Sequence, residues 1–137
     1  GCAHALVERG WYGRKTGSGW YLYGDGTASP NPGLEEILPR GVSEPSEQEI
    51  VERCLLAMVN EAAGVLADGV AASTSDIDTV MVNGYGFPAR RGGPWFTAEL
   101  DGLDRAVRRM RRWAAETGDP FWQPHPVLIS AAEGDPA

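Results

Sequence analysis

From residue 46 onward the apolar positions of this chain recur at helical spacing. Ile50, Val51, Cys54, Leu55, Met58, Val59, Ala62, Val65 and Leu66 fall one, three or four residues apart, which marks one apolar face on an α-helix. Ser46 followed by Glu49 is a capping box, Pro45 sits just outside it, and Gly69 supplies a stop. The pattern predicts a helix over 46–68. Burying its stripe at about 1.5–3 kcal/mol per large apolar side chain would make it the main support of the fold. Ser75 followed by Asp78 is a second capping signal, and Ile77, Val80 and Met81 predict a short helix ending at Gly84. Asp76 and Asp78 near its start read as cap chemistry. A further short helix is predicted over 94–100. After Gly102 a longer one runs from Leu103 to Thr117, with Leu103, Val107, Met110 and Trp113 opposite Arg105, Arg108, Arg109, Arg111 and Arg112. Gly118 ends it, and a last short helix is predicted over 127–132.

The first 44 residues are less regular. Residues 3–9 read as the last turns of a helix stopped at Gly10. A basic turn, 13–19, leads into a short extended piece where Trp20, Tyr21 and Tyr23 pack. Residues 24–44 read as a connector with one helical turn at 34–38. The expected fold class is all-α, about five helices in a single domain over 1–137. Within it, 1–44 carries the helix remnant, turn and connector, and 45–134 the helical core.

The stretch from Asp76 to Trp95 stands apart from this periodicity. Between Gly84 and Pro94 it holds four glycines and two prolines in eleven residues, which rules out regular helix. Its aromatic residues are too apolar for a solvated linker. The spacing predicts a shaped loop, with Phe87, Trp95 and Phe96 anchoring it to the long helix. Arg91 is expected to be its main polar tie, with Glu61 as partner. Arg53 and Glu61, eight apart, read as partly exposed or paired with other elements; the other reading is that they tie down the loop.

Composition narrows the function classes. The chain has 137 residues, 42% of them hydrophobic, and a net charge of −7. That is enough for one core, and its sign opposes nucleic acid or an anionic membrane surface as the main partner. Cys2 and Cys54 cannot build a disulfide framework and fit a reducing, cytoplasmic setting. No apolar run reaches membrane-spanning length. The opening GCAHALVERG, with no Met, reads as a piece of something longer.

Candidate chemistry is sparse. His4 and His125 sit in no metal-ligand spacing, and flanking prolines make His125 a turn residue. In Gly13–Gly19 the lysine precedes the last glycines, so neither the Walker nor the dinucleotide pattern is met. The arginines at 108–112 read as a solvated face.

The residues nevertheless carry a resemblance. Gly13-Arg14-Lys15-Thr16-Gly17-Ser18-Gly19-Trp20-Tyr21, with Tyr23, resembles the GRKTGxGFYxY segment of 3-hydroxyacyl-CoA dehydrogenase C-terminal domains. Arg53 to Gly69, enclosing Asn60-Glu61-Ala62, is similar to their long helix. Asp78, Gly84-Tyr85-Gly86-Phe87-Pro88 and Arg91-Gly92-Gly93-Pro94 resemble the D…GxGFPxxRGGP signature of the last domain of multifunctional fatty-acid oxidation enzymes. Phe121-Trp122-Gln123-Pro124 matches that domain's tail. The resemblance covers about residues 5–132.

It implies a protein that oxidises 3-hydroxyacyl-CoA with NAD. The cofactor and a His/Glu pair would lie in a Rossmann domain outside this chain, so no cofactor is expected here. The family's first helical domain has an Asn just before the Arg that opens the long helix; here that position is Glu52. A carboxylate cannot donate as the amide does. The departure implies the second, non-catalytic helical copy, and no catalytic, cofactor or metal residue is carried over. Glu61, Gly84, Gly86, Phe87, Pro88, Arg91, Gly92, Gly93 and Pro94 are expected to be a structural signature. Arg14 and Lys15 are candidate CoA phosphate contacts. Expected partners are the catalytic half of the parent enzyme or a homo-oligomer, with acyl-CoA as a further candidate. A free-standing acyl-CoA-binding or scaffold module is the alternative.

Overall fold

A computed structural model describes residues 2–38 and 45–134. The chain forms two compact units that divide between residues 44 and 45. The connector expected over 24–44 and the polar tail run partly into 39–44 and 135–137, which lie outside the described residues.

In the first unit, helix α1 (Cys2–Glu8) buries Leu6. A one-turn 3-10 segment at Arg14–Thr16 follows. Thr16 Oγ1 accepts from Tyr12 N–H and donates to Ser18 O, both at 3.0 Å. Strand β1 (Tyr21–Gly24) pairs antiparallel with β2 (Thr27–Pro30), so Gly24 faces Thr27 across a two-residue turn. Asp25 and Gly26 both adopt positive φ, 50° and 76°, as the twist of such a tight hairpin demands. The second strand falls inside the stretch expected to be connector. Its short Thr-Ala-Ser-Pro run has no apolar alternation, so periodicity does not disclose it; the Asp-Gly pair does. A 3-10 turn at Pro32–Glu36 takes the place of the helical turn expected at 34–38. The buried Asn31 ties these pieces together. Its Nδ2 donates to Gly19 O at 2.8 Å, and its Oδ1 accepts from Gly33 N–H at 3.0 Å.

The second unit is all helical: α2 (Glu47–Ala67), α3 (Thr74–Gly84), α4 (Pro94–Asp101), α5 (Leu103–Thr117) and α6 (Pro126–Ala132). Helix α2 packs on α3, α4 and α6, and α5 packs on α4 and α6. The core joins Leu55, Leu56, Val59, Ala62 and Ala63 of α2 with Trp95, Ala98, Val107, Met110, Trp113 and Leu128. Ser46 Oγ accepts from Glu49 N–H at 3.2 Å, so the predicted cap forms. Glu49 Oε1 turns to Arg53 Nη2 at 2.8 Å.

Two expectations need correction. The buried face of α2 is rotated from the full predicted stripe. Ile50 and Val51 are about half exposed, and Cys54 is exposed. The apolar band on α2 is broader than the core can cover, and its outer half remains at the surface. The cap of α3 lies two residues earlier than predicted. Ser73 Oγ, not that of Ser75, accepts from Asp76 N–H at 3.2 Å. Asp78 is thereby released for a different task.

Candidate functional site

The irregular stretch between α3 and α4 is built around Asp78. This carboxylate is buried on α3. Its Oδ1 accepts from Trp95 N–H at 2.8 Å and its Oδ2 from Phe96 N–H at 2.9 Å. Those amides belong to the first turn of α4, where N–H groups lack helical partners. Helix α4 cannot cap itself, because its N-cap is Gly93, which has no side chain. Asp78 therefore caps a neighbouring helix from seventeen residues away in sequence, and its negative charge meets the positive end of the α4 dipole.

Gly93 is required by the same geometry. Its φ is +124°, and a Cβ there would overlap the Asp78 side chain. Pro94 is fully buried at the first helical position, where its missing N–H costs nothing. Thr97 Oγ1 lies 2.7 Å from Gly93 O and 3.0 Å from Arg91 O, and its single hydroxyl proton can donate to either of these loop carbonyls. Gly92, at φ +77°, rests against the Phe96 ring. The Gly86–Phe87 corner is closed by Phe87 N–H donating to Met81 O at 3.0 Å. Phe87 and Trp95 pack with the core cluster. Phe96 does not; it is half exposed and covers Gly92 rather than reaching α2. Gly84 is the last residue of α3, and Pro88 opens the single 3-10 turn that carries Arg91.

The predicted Arg91–Glu61 tie is not made within the chain. Both side chains are exposed, and neither enters an ion pair among the described residues. Asp78 does the work assigned to Arg91, because a buried carboxylate at a helix start satisfies two orphan amides that no arginine could.

Glu52, at the position that carries the Asn in the resembling motif, is also consumed structurally. Its Oε2 accepts from Arg109 Nε at 3.1 Å and Nη2 at 2.9 Å, and Oε1 lies 3.8 Å from Arg105 Nη2. The Glu52 carboxylate beside Arg109 raises that guanidinium's pKa above its ordinary value. Arg53 and Arg109 lie over the Trp113 ring, 5.2 and 5.7 Å from its centroid. Asn60, inside Asn60-Glu61-Ala62, has a role not visible in periodicity. Its Oδ1 accepts from His125 N–H at 2.7 Å and its Nδ2 donates to Gln123 O at 3.1 Å. It pins the Gln123–His125 segment to α2. His125 caps α6, with Nδ1 accepting from Val127 N–H at 3.2 Å. In the first unit, Arg14 lies 5.5 Å over the Tyr23 ring, and Lys15 enters no ion pair among the described residues. Among those residues no cluster of three or more His, Cys, Asp or Glu could hold a metal. None of their helices is long and apolar enough to cross a membrane.

This geometry agrees with a family comparison. A family model described as 3-hydroxyacyl-CoA dehydrogenase, C-terminal domain, matches residues 50–135. The chain belongs to the 3-hydroxyacyl-CoA dehydrogenase C-terminal domain family. The match runs from within α2 through α6 and includes Glu52, Asn60, Asp78 and the loop between α3 and α4. The chain is similar to the peroxisomal bifunctional enzymes of Danio rerio, 39% identical, and Homo sapiens, 38% identical, each alignment covering 96% of this chain. It is 35% identical to the fatty acid oxidation complex subunit alpha of Vibrio campbellii over 94% of its length. The 3-hydroxyacyl-CoA dehydrogenase C-terminal domain described here spans about a fifth of the length of these relatives, 20% of the first two and 18% of the third.

Proposed function

We propose that this chain is a non-catalytic helical domain of an NAD-dependent 3-hydroxyacyl-CoA dehydrogenase in fatty-acid oxidation. It buttresses the part that carries NAD and the reacting groups, and it supplies a helical pairing surface. One observation carries this reading. Glu52, at the motif's Asn position, is a carboxylate with no N–H to donate to an acyl-CoA, and it is held against Arg109 and Arg105. Asp78, the buried carboxylate of the conspicuous loop, has both oxygens occupied by α4 amides. It is not free to take a proton from a substrate.

A second reading, acyl-CoA binding without chemistry, is favoured by Lys15, Arg90 and Arg91, which enter no ion pair among the described residues. Phosphates favour such donors. Calorimetry separates the two. The leading reading expects no binding heat with NADH or with acetoacetyl-CoA. Heat with acetoacetyl-CoA alone supports the second reading, and NADH binding overturns the first. For compartment, the vertebrate relatives are named peroxisomal, and this favours a peroxisomal setting over the cytoplasmic one expected from the cysteines.

A further inference from the structure

Helix α2 faces α4 and α5 across a hollow of about 120 Å³. Its space comes from short side chains. Ala98 of α4 and Ala106 of α5 stand opposite Leu55 and Leu56 of α2, and all four are buried. Gly102, at φ +94°, joins the two helices and lines the hollow as well. An apolar cavity of about 150 Å³ holds a molecule the size of benzene. This floor therefore suits a chain of a few carbons and is far too small for an acyl-CoA.

The rim is charged. Glu52, Arg91, Asp101 and Arg105 line it. Glu52 is already matched by Arg109, which stands outside the lining and donates to it at 3.1 and 2.9 Å. Arg105 lies 3.8 Å from the same carboxylate, a looser contact, and its side chain is 59% exposed. Arg91 is exposed and enters no ion pair among the described residues. Glu61 lines a separate hollow beside Val65 and Phe121, so it does not neutralise Arg91 here. With Glu52 matched by Arg109, two guanidinium groups face one carboxylate, Asp101, and the rim keeps an excess of positive charge.

We propose that this hollow binds a short-chain monocarboxylate of about four or five carbons. Its tail lies on Leu55, Leu56, Ala98 and Ala106, which removes apolar surface from water. Its carboxylate meets Arg91, with Arg105 beside it, in charge-assisted hydrogen bonds whose planar fork matches the two oxygens. A CoA thioester has no such carboxylate. The site is thus separate from the acyl-CoA contacts considered above and goes beyond the domain's buttressing role.

Titration of the isotopically labelled full chain with sodium butyrate, at fixed pH and ionic strength, tests it by NMR. Amide and methyl shifts should saturate at Leu55, Leu56, Ala98 and Ala106, with a dissociation constant on the order of 1 mM. Butan-1-ol, with the same tail and no charge, should bind at least about tenfold more weakly. Butylammonium should not saturate these shifts. Arg91→Ala, at an exposed position, should keep the folded spectrum and weaken butyrate about tenfold. Asp101→Asn should tighten butyrate, because it removes the one unmatched like charge from the rim. Arg111→Ala, at an exposed arginine outside the hollow, should leave binding unchanged. Butyrate shifts that never saturate, or that saturate only at other residues, overturn the proposal. Equal binding of butyrate and butylammonium overturns it, as does an Arg91→Ala protein that binds butyrate like the wild type. None of these outcomes bears on the calorimetry with NADH and acetoacetyl-CoA, which tests the domain's role separately.

Discussion

Asp78 and Gly93 form one device at the scale of single residues. The carboxylate fills the space a Cβ would need, so neither residue can change alone. Gly93→Ala removes no polar group, yet it forces a side chain into positive φ and into Asp78. It should lower unfolding free energy by roughly 1–3 kcal/mol, measured by urea titration. Asp78→Ala should cost a comparable amount, roughly 2–3 kcal/mol, by orphaning two amides at the start of α4. Glu61→Ala and Arg91→Ala, made in dilute solution, should leave unfolding free energy nearly unchanged. Asp104 gives a pH signature. Arg108 Nη1 lies 2.6 Å from Asp104 Oδ2 and holds that carboxyl below its ordinary range. A folded pKa below the unfolded one stabilises above the unfolded value and is lost as pH falls through the folded one. The melting-temperature gap between wild type and Asp104→Asn should therefore be present at neutral pH and close as pH falls below the ordinary carboxylate range.

At the scale of elements, α2 is held to its neighbours by polar side chains as well as by its core face. Glu52 reaches α5 through Arg109, and Asn60 holds the segment that enters α6. Asn60→Ala leaves His125 N–H and Gln123 O without their partner. It should cost roughly 1–3 kcal/mol by urea titration and speed hydrogen exchange in α6 before α2. Sequence spacing was a good guide where one helix carries its own signals. The Ser46 cap, the Leu103–Met110–Trp113 stripe and the Gly118 stop all lie within one element, and all appear in the structure. It was a poor guide where the decisive bond spans elements. Asp78 reads as a local cap because nothing in its own helix shows that α4 lacks one. Arg91 and Glu61 attract each other on charge alone, but the fold holds them over separate hollows. The β1–β2 hairpin was announced only by Asp25-Gly26. The width of the α2 stripe was legible, whereas which half of it would be buried depended on how α4 and α6 pack.

At the scale of the molecule, glycines, arginines and aromatics gathered in one loop suggest a reaction centre, and the structure turns them into a clasp between two helices. Its carboxylate is occupied, its glycines admit close packing, and its Arg91 is exposed. On the proposed reading the chemistry lies in a Rossmann part outside these residues, while Glu52 is taken up by its ion pair with Arg109. The most direct test follows NADH absorbance while the purified chain is supplied with acetoacetyl-CoA. The account predicts no oxidation above the protein-free rate, for the wild type and equally for Glu52→Asn, because restoring one amide does not supply a cofactor site. Turnover above that rate by either protein would contradict it.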